Sequence, residues 1–253
     1  VAELVVATLN IRNIADRWPE RLPLLVADMA ALQPDVIGLQ EVVFAVQQDR
    51  LLGAAGAARY RGFRGWAGRP EYGNAILVKE LGAAGPAARG SGDRLDLGLS
   101  RSALRIRLDL PGGVSGTFVV THLHHLVDGQ AARDGQVRAL LEWLADAPNE
   151  PLVVVGDFNA DPAEPAYARM VEGGFRSAHA AANGAEPPVT WPSGIQAPGI
   201  DDDGEPGCLD YVWLRGPISV ESCRLVFDRP AIDDPTLYPS DHFGLAATLR
   251  IGG

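Results

Sequence analysis

Asp157 and Asn159 close an unbroken apolar run, Leu152-Val153-Val154-Val155-Gly156, with one residue between them. A β-branched run with no polar break reads as a fully buried strand, and a side-chain period of two puts Asp157 and Asn159 on one side and Phe158 on the other. A carboxylate and a carboxamide delivered to one spot can position a water, accept its proton or offer oxygen to a hard cation. The pair also suits an Asx-type turn continuing into Asp161-Pro162. Residues 4–10 form a second such strand ending on Asn10, and residues 36–41 a third ending on Glu41. Ligands in α/β arrangements collect at the ends of neighbouring strands, so three polar strand ends predict one site assembled from distant segments.

Histidines and further carboxylates extend the set. Three of the five histidines fall in Thr121-His122-Leu123-His124-His125. His122 and His124 have a spacing that zinc sites use, but no cysteine or third imidazole completes one. His122, at the end of the preceding strand, is therefore the chemical member, and His124 and His125 belong to the following loop. Asp210 sits among apolar neighbours in Leu209-Asp210-Tyr211-Val212-Trp213-Leu214 and needs a partner if buried. In Ser240-Asp241-His242 the adjacent Asp and His allow the Asp to hold a metal while the His turns toward another carboxylate. Arg59, Arg61, Arg64 and Arg69, interleaved with Tyr60, Phe63 and Trp66, suit a phosphate-bearing ligand or an exposed edge strand, and the edge strand is preferred. Asp201-Asp202-Asp203 reads as solvated loop.

The elements positioning these residues are mostly strands. Further strands are expected at 73–79, 101–109, where Ala103, Arg105 and Arg107 alternate with Leu104, Ile106 and Leu108, and 116–120 after a turn at Pro111-Gly112-Gly113. Residues 209–215 and 218–227 read as a hairpin around Gly216-Pro217, which would set Cys208 and Cys223 across from each other and permit a bridge, and a last strand runs to Ile251. Helices are expected from Leu22 to Leu32, with Pro23 in the first turn and Pro34 beyond the end, and at 44–56, 131–146 and 164–173. The Pro- and Gly-dense span 184–207 reads as surface loop. Many strands and few helices predict two packed sheets with helices outside.

A chain of 253 residues with 47% hydrophobic content supports one domain, 1–253, with a substantial core. No stretch approaches the roughly 18 consecutive apolar residues of a membrane span. The expectation is a soluble monomer, cytoplasmic or secreted. No signal peptide is evident, and a start at Val1 leaves an earlier targeting segment open. A formal charge of −10 argues against non-specific wrapping of nucleic acid. It is compatible with a site whose carboxylates gather a cation that then faces phosphate.

In order, Thr8-Leu9-Asn10, Leu39-Gln40-Glu41-Val42, Gly73-Asn74-Ala75-Ile76-Leu77, Thr121-His122-Leu123, Gly156-Asp157-Phe158-Asn159, Leu209-Asp210-Tyr211 and Ser240-Asp241-His242 span residues 8–242. The ordered set resembles the endonuclease/exonuclease/phosphatase superfamily, which includes pancreatic deoxyribonuclease, exonuclease III, deadenylases, inositol-polyphosphate 5-phosphatases and neutral sphingomyelinases. The resemblance implies an α+β fold, a four-layer α/β/β/α sandwich of two mainly antiparallel sheets, with a metal-dependent phosphoesterase site at one edge. It implies Glu41 as principal metal ligand with Asn10 and Asp241 close by, and Mg²⁺ as cofactor, with Mn²⁺ or Ca²⁺ as substitutes. Asp157 and Asn159 would orient or deprotonate the attacking water, His242 would pair with Asp210, and His122 would contact the phosphate or the leaving oxygen. The implied reaction is in-line attack of water on a phosphodiester, nucleic acid included. Alternatives are a smaller phosphoester of inositol phosphate, nucleotide or sphingomyelin type and, more remotely, a non-catalytic binding module. One position departs from the exonuclease III branch, which carries an Asp where this chain has Arg12; that removes a second metal-binding carboxylate and turns the expectation away from apurinic-site repair. Some relatives place an extra catalytic group near Glu71, Tyr72 and Asn74, and the sequence does not choose among these three.

Overall fold

Short apolar strands, too narrow to bury themselves singly, sort into two six-stranded sheets. The structure is a computed structural model that describes residues 2–48, 51, 60–80, 86–110, 113–146, 150–200 and 204–252. In chain order its strands begin with β1 (Ala2–Asn10), β2 (Val36–Val43), β3 (Tyr60–Gly65), β4 (Tyr72–Lys79), β5 (Ala87–Gly98) and β6 (Arg101–Leu110). They continue with β7 (Val114–His122), β8 (Leu152–Asp157), β9 (Arg176–Ser177), β10 (Asp210–Arg215), β11 (Ile218–Val226) and β12 (Gly244–Ile251). Among the described residues the α-helices with defined bounds are α1 (Trp18–Leu32), α2 (Gln130–Trp143), α3 (Pro165–Glu172) and α4 (Ala178–Asn183).

The first sheet has the order β11-β12-β1-β2-β4-β3 and the second β5-β6-β7-β8-β10-β9. Among the described residues each is antiparallel except for one pair, β1/β2 in the first and β7/β8 in the second. Val6, Ile76, Phe118, Val155, Val212 and Leu249 fill the layer between the sheets. Leu25 and Met29 of α1 cover the outer face of the first sheet against Leu9, Ile37 and Leu39. Leu140 of α2 and Met170 of α3 cover that of the second against Val119, Val154 and Trp213. The result is the four-layer α+β sandwich. No helix of the described residues is long and apolar enough to cross a membrane.

Gly38 marks a close approach of the two sheets, since a Cβ there would lie 2.5 Å from Val155 Cγ2 and 3.0 Å from Val120 Cγ2. Gly156 is more constrained: its φ is 148°, and a Cβ would meet the Thr121 carbonyl of β7 at 2.0 Å. Gly156→Ala should therefore cost about 2–3 kcal/mol, read as a lower midpoint in urea unfolding; an unchanged midpoint would mean that the β7/β8 pair yields easily.

Several elements differ from expectation. The first helix begins at Trp18, anchored by buried Trp18 and Arg21, so Pro23 lies inside it and not in its first turn. Within the span expected as helix, 44–56, Phe44–Gln48 form a π-helical turn and Leu51 is α-helical; 49–50 and 52–56 lie outside the described residues, as do Arg59, 111–112 of the expected turn and Asp201-Asp202-Asp203. β10 and β11 are not a hairpin: β10 pairs with β8 and β9, β11 pairs with β12, and the chain crosses from one sheet to the other at Gly216-Pro217. Cys208 and Cys223 are accordingly free, and both are buried. β5, β9 and α4 were not legible in the sequence.

Candidate active site

Topology gathers the polar strand ends. Parallel pairing sends the C-terminal ends of β1 and β2, and those of β7 and β8, to common edges, while antiparallel β10 brings its first residue to the end of β8. His122 and Asp210 both stand in register with Asp157. Glu41 reaches the site through a bulge: the β2/β4 register jumps between Leu39/Ala75 and Val42/Gly73, so Gln40 and Glu41 together oppose Asn74. With Glu41 at φ 58°, the two side chains part. Gln40 is buried and donates to Thr8 Oγ1 at 3.1 Å. Glu41 faces the cleft and accepts from Asn10 Nδ2 at 3.2 Å and Asn13 Nδ2 at 2.9 Å. Tyr72 is the member of the Glu71, Tyr72 and Asn74 group that shares this cleft and hydrogen-bonds Glu41; burial and then the Glu41 charge push its phenol up. Asn74 instead donates to the Ser102 carbonyl of β6 at 2.8 Å, tying the sheets together.

Asp157, 1% exposed, is the hub. Its Oδ1 accepts the Asn159 backbone N–H at 2.9 Å, which is an Asx turn, and Asn159 has φ 49°. The backbone is therefore not extended through Asn159, as alternation assumes, although both residues line the cleft. Asn159 Nδ2 donates to the Leu123 carbonyl at 3.1 Å. Asp157 Oδ2 faces Asn10 Nδ2 at 3.0 Å, His122 Nε2 at 3.5 Å and His242 Nε2 at 3.7 Å. Burial pushes the Asp157 carboxyl up to about 7, against the pull of His242 and with the help of Asp210.

His242 Nδ1 lies 2.9 Å from Asp210 Oδ2. Burial opposes charge on this imidazole, but Asp210, Asp157 and Asp241 outweigh it and raise the pKa to about 10, so His242 is a cation at neutral pH. Asp210 is fully buried, and its Oδ1 has no hydrogen-bond partner among the described residues. His122 is the opposite case, with burial, then Arg101, His242 and His125, holding it well below the ordinary histidine value. Arg101 Nη1 lies nearer its Nδ1 (3.0 Å) than its Nε2 (3.2 Å). Guanidinium only donates and lies at nearly the same distance from both ring nitrogens, so the tautomer is assigned from the other contact: a proton on Nε2 faces Asp157 Oδ2 at 3.5 Å.

Backbone fastening holds the segments in place. Ser240 Oγ donates to the Asn10 carbonyl at 2.5 Å and accepts the His242 N–H at 3.3 Å. Within the expected loop, Thr190 Oγ1 accepts the Asp210 N–H at 3.1 Å, the Thr190 carbonyl accepts the Phe243 N–H at 2.7 Å, and Ser193 N–H donates to the Asp241 carbonyl at 2.7 Å. This clamp fixes Trp191 in the cleft wall. Arg21, fully buried, donates to the carbonyls of Ile11, Arg12, Asn13, Ala15, Asp16 and Pro239 and so shapes the loop after β1. Burial lowers it to about 10, with Asp241 and Asp16 opposing, which leaves it charged.

Of the eight predicted residues, Glu41, His122, Asp157, Asn159, Asp241 and His242 line a cleft of about 570 Å³. Asn10 and Asp210 lie beneath, bonded to Asp157 and His242. Sequence reasoning missed Arg101, Asn13, Arg21 and Trp191. Arg61, Arg64 and Arg69 are absent from the lining; Arg61 stacks on Phe63 and Arg64 on Phe44 at the sheet edge. Glu41 and Asp241 carry hard carboxylate oxygen of the kind that suits Mg²⁺ or Mn²⁺, while Asn10 turns Nδ2 toward Glu41 and engages its Oδ1 with the Arg12 N–H. Asp157, Asp210 and His242 have donor atoms within 4.8 Å of one another, but His242 Nδ1 and Asp210 Oδ2 already engage each other.

Solved structures share this architecture. The human Nocturnin catalytic domain with bound sulfate anion is 24% identical, with a TM-score of 0.78, and the alignment covers 99% of this chain and 94% of that one. D. rerio TDP2 complexed with single strand DNA product is 18% identical, with a TM-score of 0.81 over 99% and 100% of the two chains. The Bacteroides thetaiotaomicron mannosyl-6-phosphatase Bt3783 is 18% identical, with a TM-score of 0.79 over 98% and 100%. No curated protein matches by sequence. The family model described as Endonuclease/Exonuclease/phosphatase family matches residues 7–242, a span that takes in all of the ordered motifs, and this chain belongs to that family of phosphoester hydrolases.

Proposed function

We propose that this protein hydrolyses a small phosphoester with the aid of a divalent cation, Mg²⁺ first, held by Glu41 with Asn10 and Asp241. The observation that carries this is the Asp157 carboxylate, buried at the cleft floor with Oδ2 ringed by Asn10, His122 and His242. In this reading Asp157, steadied by the Asn159 N–H, takes the proton of the attacking water. Protonated His242, oriented by Asp210, donates to a phosphoryl oxygen, and His122 Nε2–H donates to the phosphate or the leaving oxygen. The bound cation supplies charge neutralisation on the non-bridging oxygens and lowers the pKa of water.

A small ester is favoured over a polymer because Asp161, Glu164 and Glu205 share the cleft wall with Trp191, and the chain carries a formal charge of −10. Glu164 is neutralised by Arg133 at 2.8 Å, but the acidic wall still repels a long polyanion. The test compares p-nitrophenyl phosphate, bis(p-nitrophenyl) phosphate, inositol phosphates, sphingomyelin, RNA and single-stranded DNA with Mg²⁺ or Mn²⁺. Small esters should turn over faster than either polymer, and a chelator should abolish turnover until metal is restored. Faster cleavage of DNA than of every small ester would overturn the substrate reading, and chelator-resistant turnover the metal reading.

A further inference from the structure

Arg12 stands where the exonuclease III branch carries an acid, and its surroundings give it a task. Its backbone has φ 53°, its N–H donates to Asn10 Oδ1 at 3.0 Å, and its carbonyl accepts from Arg21 Nη2 at 2.8 Å. These contacts turn the side chain back into the cleft it lines. Asp16 Oδ2 holds Nε at 2.7 Å, and Nη1 lies 3.3 Å from Asp241 Oδ2. The Asp241 side chain is only 3% exposed, and its other oxygen meets Ser240 Oγ at 3.2 Å. A buried carboxylate needs a counter-charge, and Arg12 is the guanidinium placed to give it.

We propose, building on the assignment of Glu41, Asn10 and Asp241 to the cation, that Arg12 is a permanent built-in cation which counter-charges Asp241 and limits this site to one divalent ion. A guanidinium is charged at every working pH and cannot leave. An ion binding Asp241 Oδ2 at metal–oxygen distance, about 2.1 Å for Mg²⁺, would stand against a positive charge already fixed on that oxygen. Glu41 has no ion pair within 4 Å among the described residues: its oxygens accept from the neutral amides of Asn10 and Asn13, and the Arg12 charge acts on it only at longer range. The site is thus asymmetric: Asp241 divides its charge between the fixed side-chain cation and the exchangeable ion it would share with Glu41, whose charge is left to the ion.

The test counts bound Mn²⁺ by calorimetry and by loss of the free-ion paramagnetic resonance signal, on the full chain without substrate. Wild type should bind one Mn²⁺ per chain and Arg12→Lys likewise one, whereas Arg12→Asp should bind two. Arg12→Ala should bind its ion about tenfold more tightly at low salt, with the gain shrinking as salt is added. Circular dichroism checks each fold, and Arg12→Ala keeps the test open should Arg12→Asp not fold. Two ions on wild type, or one ion with unchanged affinity in both Arg12→Asp and Arg12→Ala, would overturn the proposal. Glu41→Gln separates the two layers: if it leaves wild-type Mn²⁺ binding intact, the underlying cation assignment fails, and the role of Arg12 falls with it.

Discussion

Asp157→Asn lowers kcat on bis(p-nitrophenyl) phosphate in saturating Mg²⁺ by about 10³- to 10⁴-fold, the upper range for loss of a positioned base. The substitution keeps the shape of the side chain and an oxygen for the Asn159 N–H, so the Asx turn survives. It removes the ability to take a proton at a point ringed by Asn10, His122 and His242. Burial already opposes the Asp157 charge, so the amide relieves one cost, but it turns an N–H toward the donors of Asn10, His122 and His242, and the thermal midpoint should fall modestly with the fold intact. Steady-state kinetics beside a melting curve give the answer. Turnover within threefold of wild type would remove Asp157 from the proton-transfer role, and a collapse of the fold would make it a structural residue.

Arg21→Met destabilises the protein by about 3–5 kcal/mol in urea unfolding, the scale for stripping one partner from a buried charged network. Arg21 is fully buried among six carbonyl acceptors, five from the loop after β1 and one from Pro239 before the Ser240-Asp241-His242 segment. Methionine matches much of the bulk and none of the donors, so the carbonyls are left without solvent or partner. Arg21→Lys should rescue little, because three donors on a point charge cannot serve acceptors spread around a planar fork. Turnover should fall as well, since the same loop carries Arg12 and Asn13 directly after Asn10. A wild-type midpoint for Arg21→Met would show that water reaches those carbonyls.

The strand ends were legible because an apolar run stopping on a polar residue leaves its whole signal in one place: Asn10, Glu41 and Asp157 announce themselves. Asp210 was legible for a related reason, a carboxylate among residues that must be buried. Arg101 and Arg21 gave no such signal, since what singles them out is the identity of distant acceptors, His122 in one case and Pro239 in the other. β5 went unseen because it is an edge strand wet over most of its length, held by backbone pairing to β6 with hardly an apolar stripe. The Gly216-Pro217 turn was recognised but its destination was not, because the same turn residues serve a hairpin and a crossing between sheets. Alternation misjudged Asn159 by carrying an extended backbone one residue past the Asx turn.

The two nearly adjoining halves of the site have different owners. Asn10 and Glu41 ride on the first sheet, and His122, Asp157 and Asp210 on the second, with the 3.0 Å bond from Asn10 to Asp157 as the seam. The gap between them is a thickness, set by how closely Gly38 lets the first sheet settle on Val120 and Val155. On the proposed assignment, catalysis in this chain is thus a gauge of its own interior: anything that swells the layer between the sheets should be registered at the seam, though it touches no residue of the cleft.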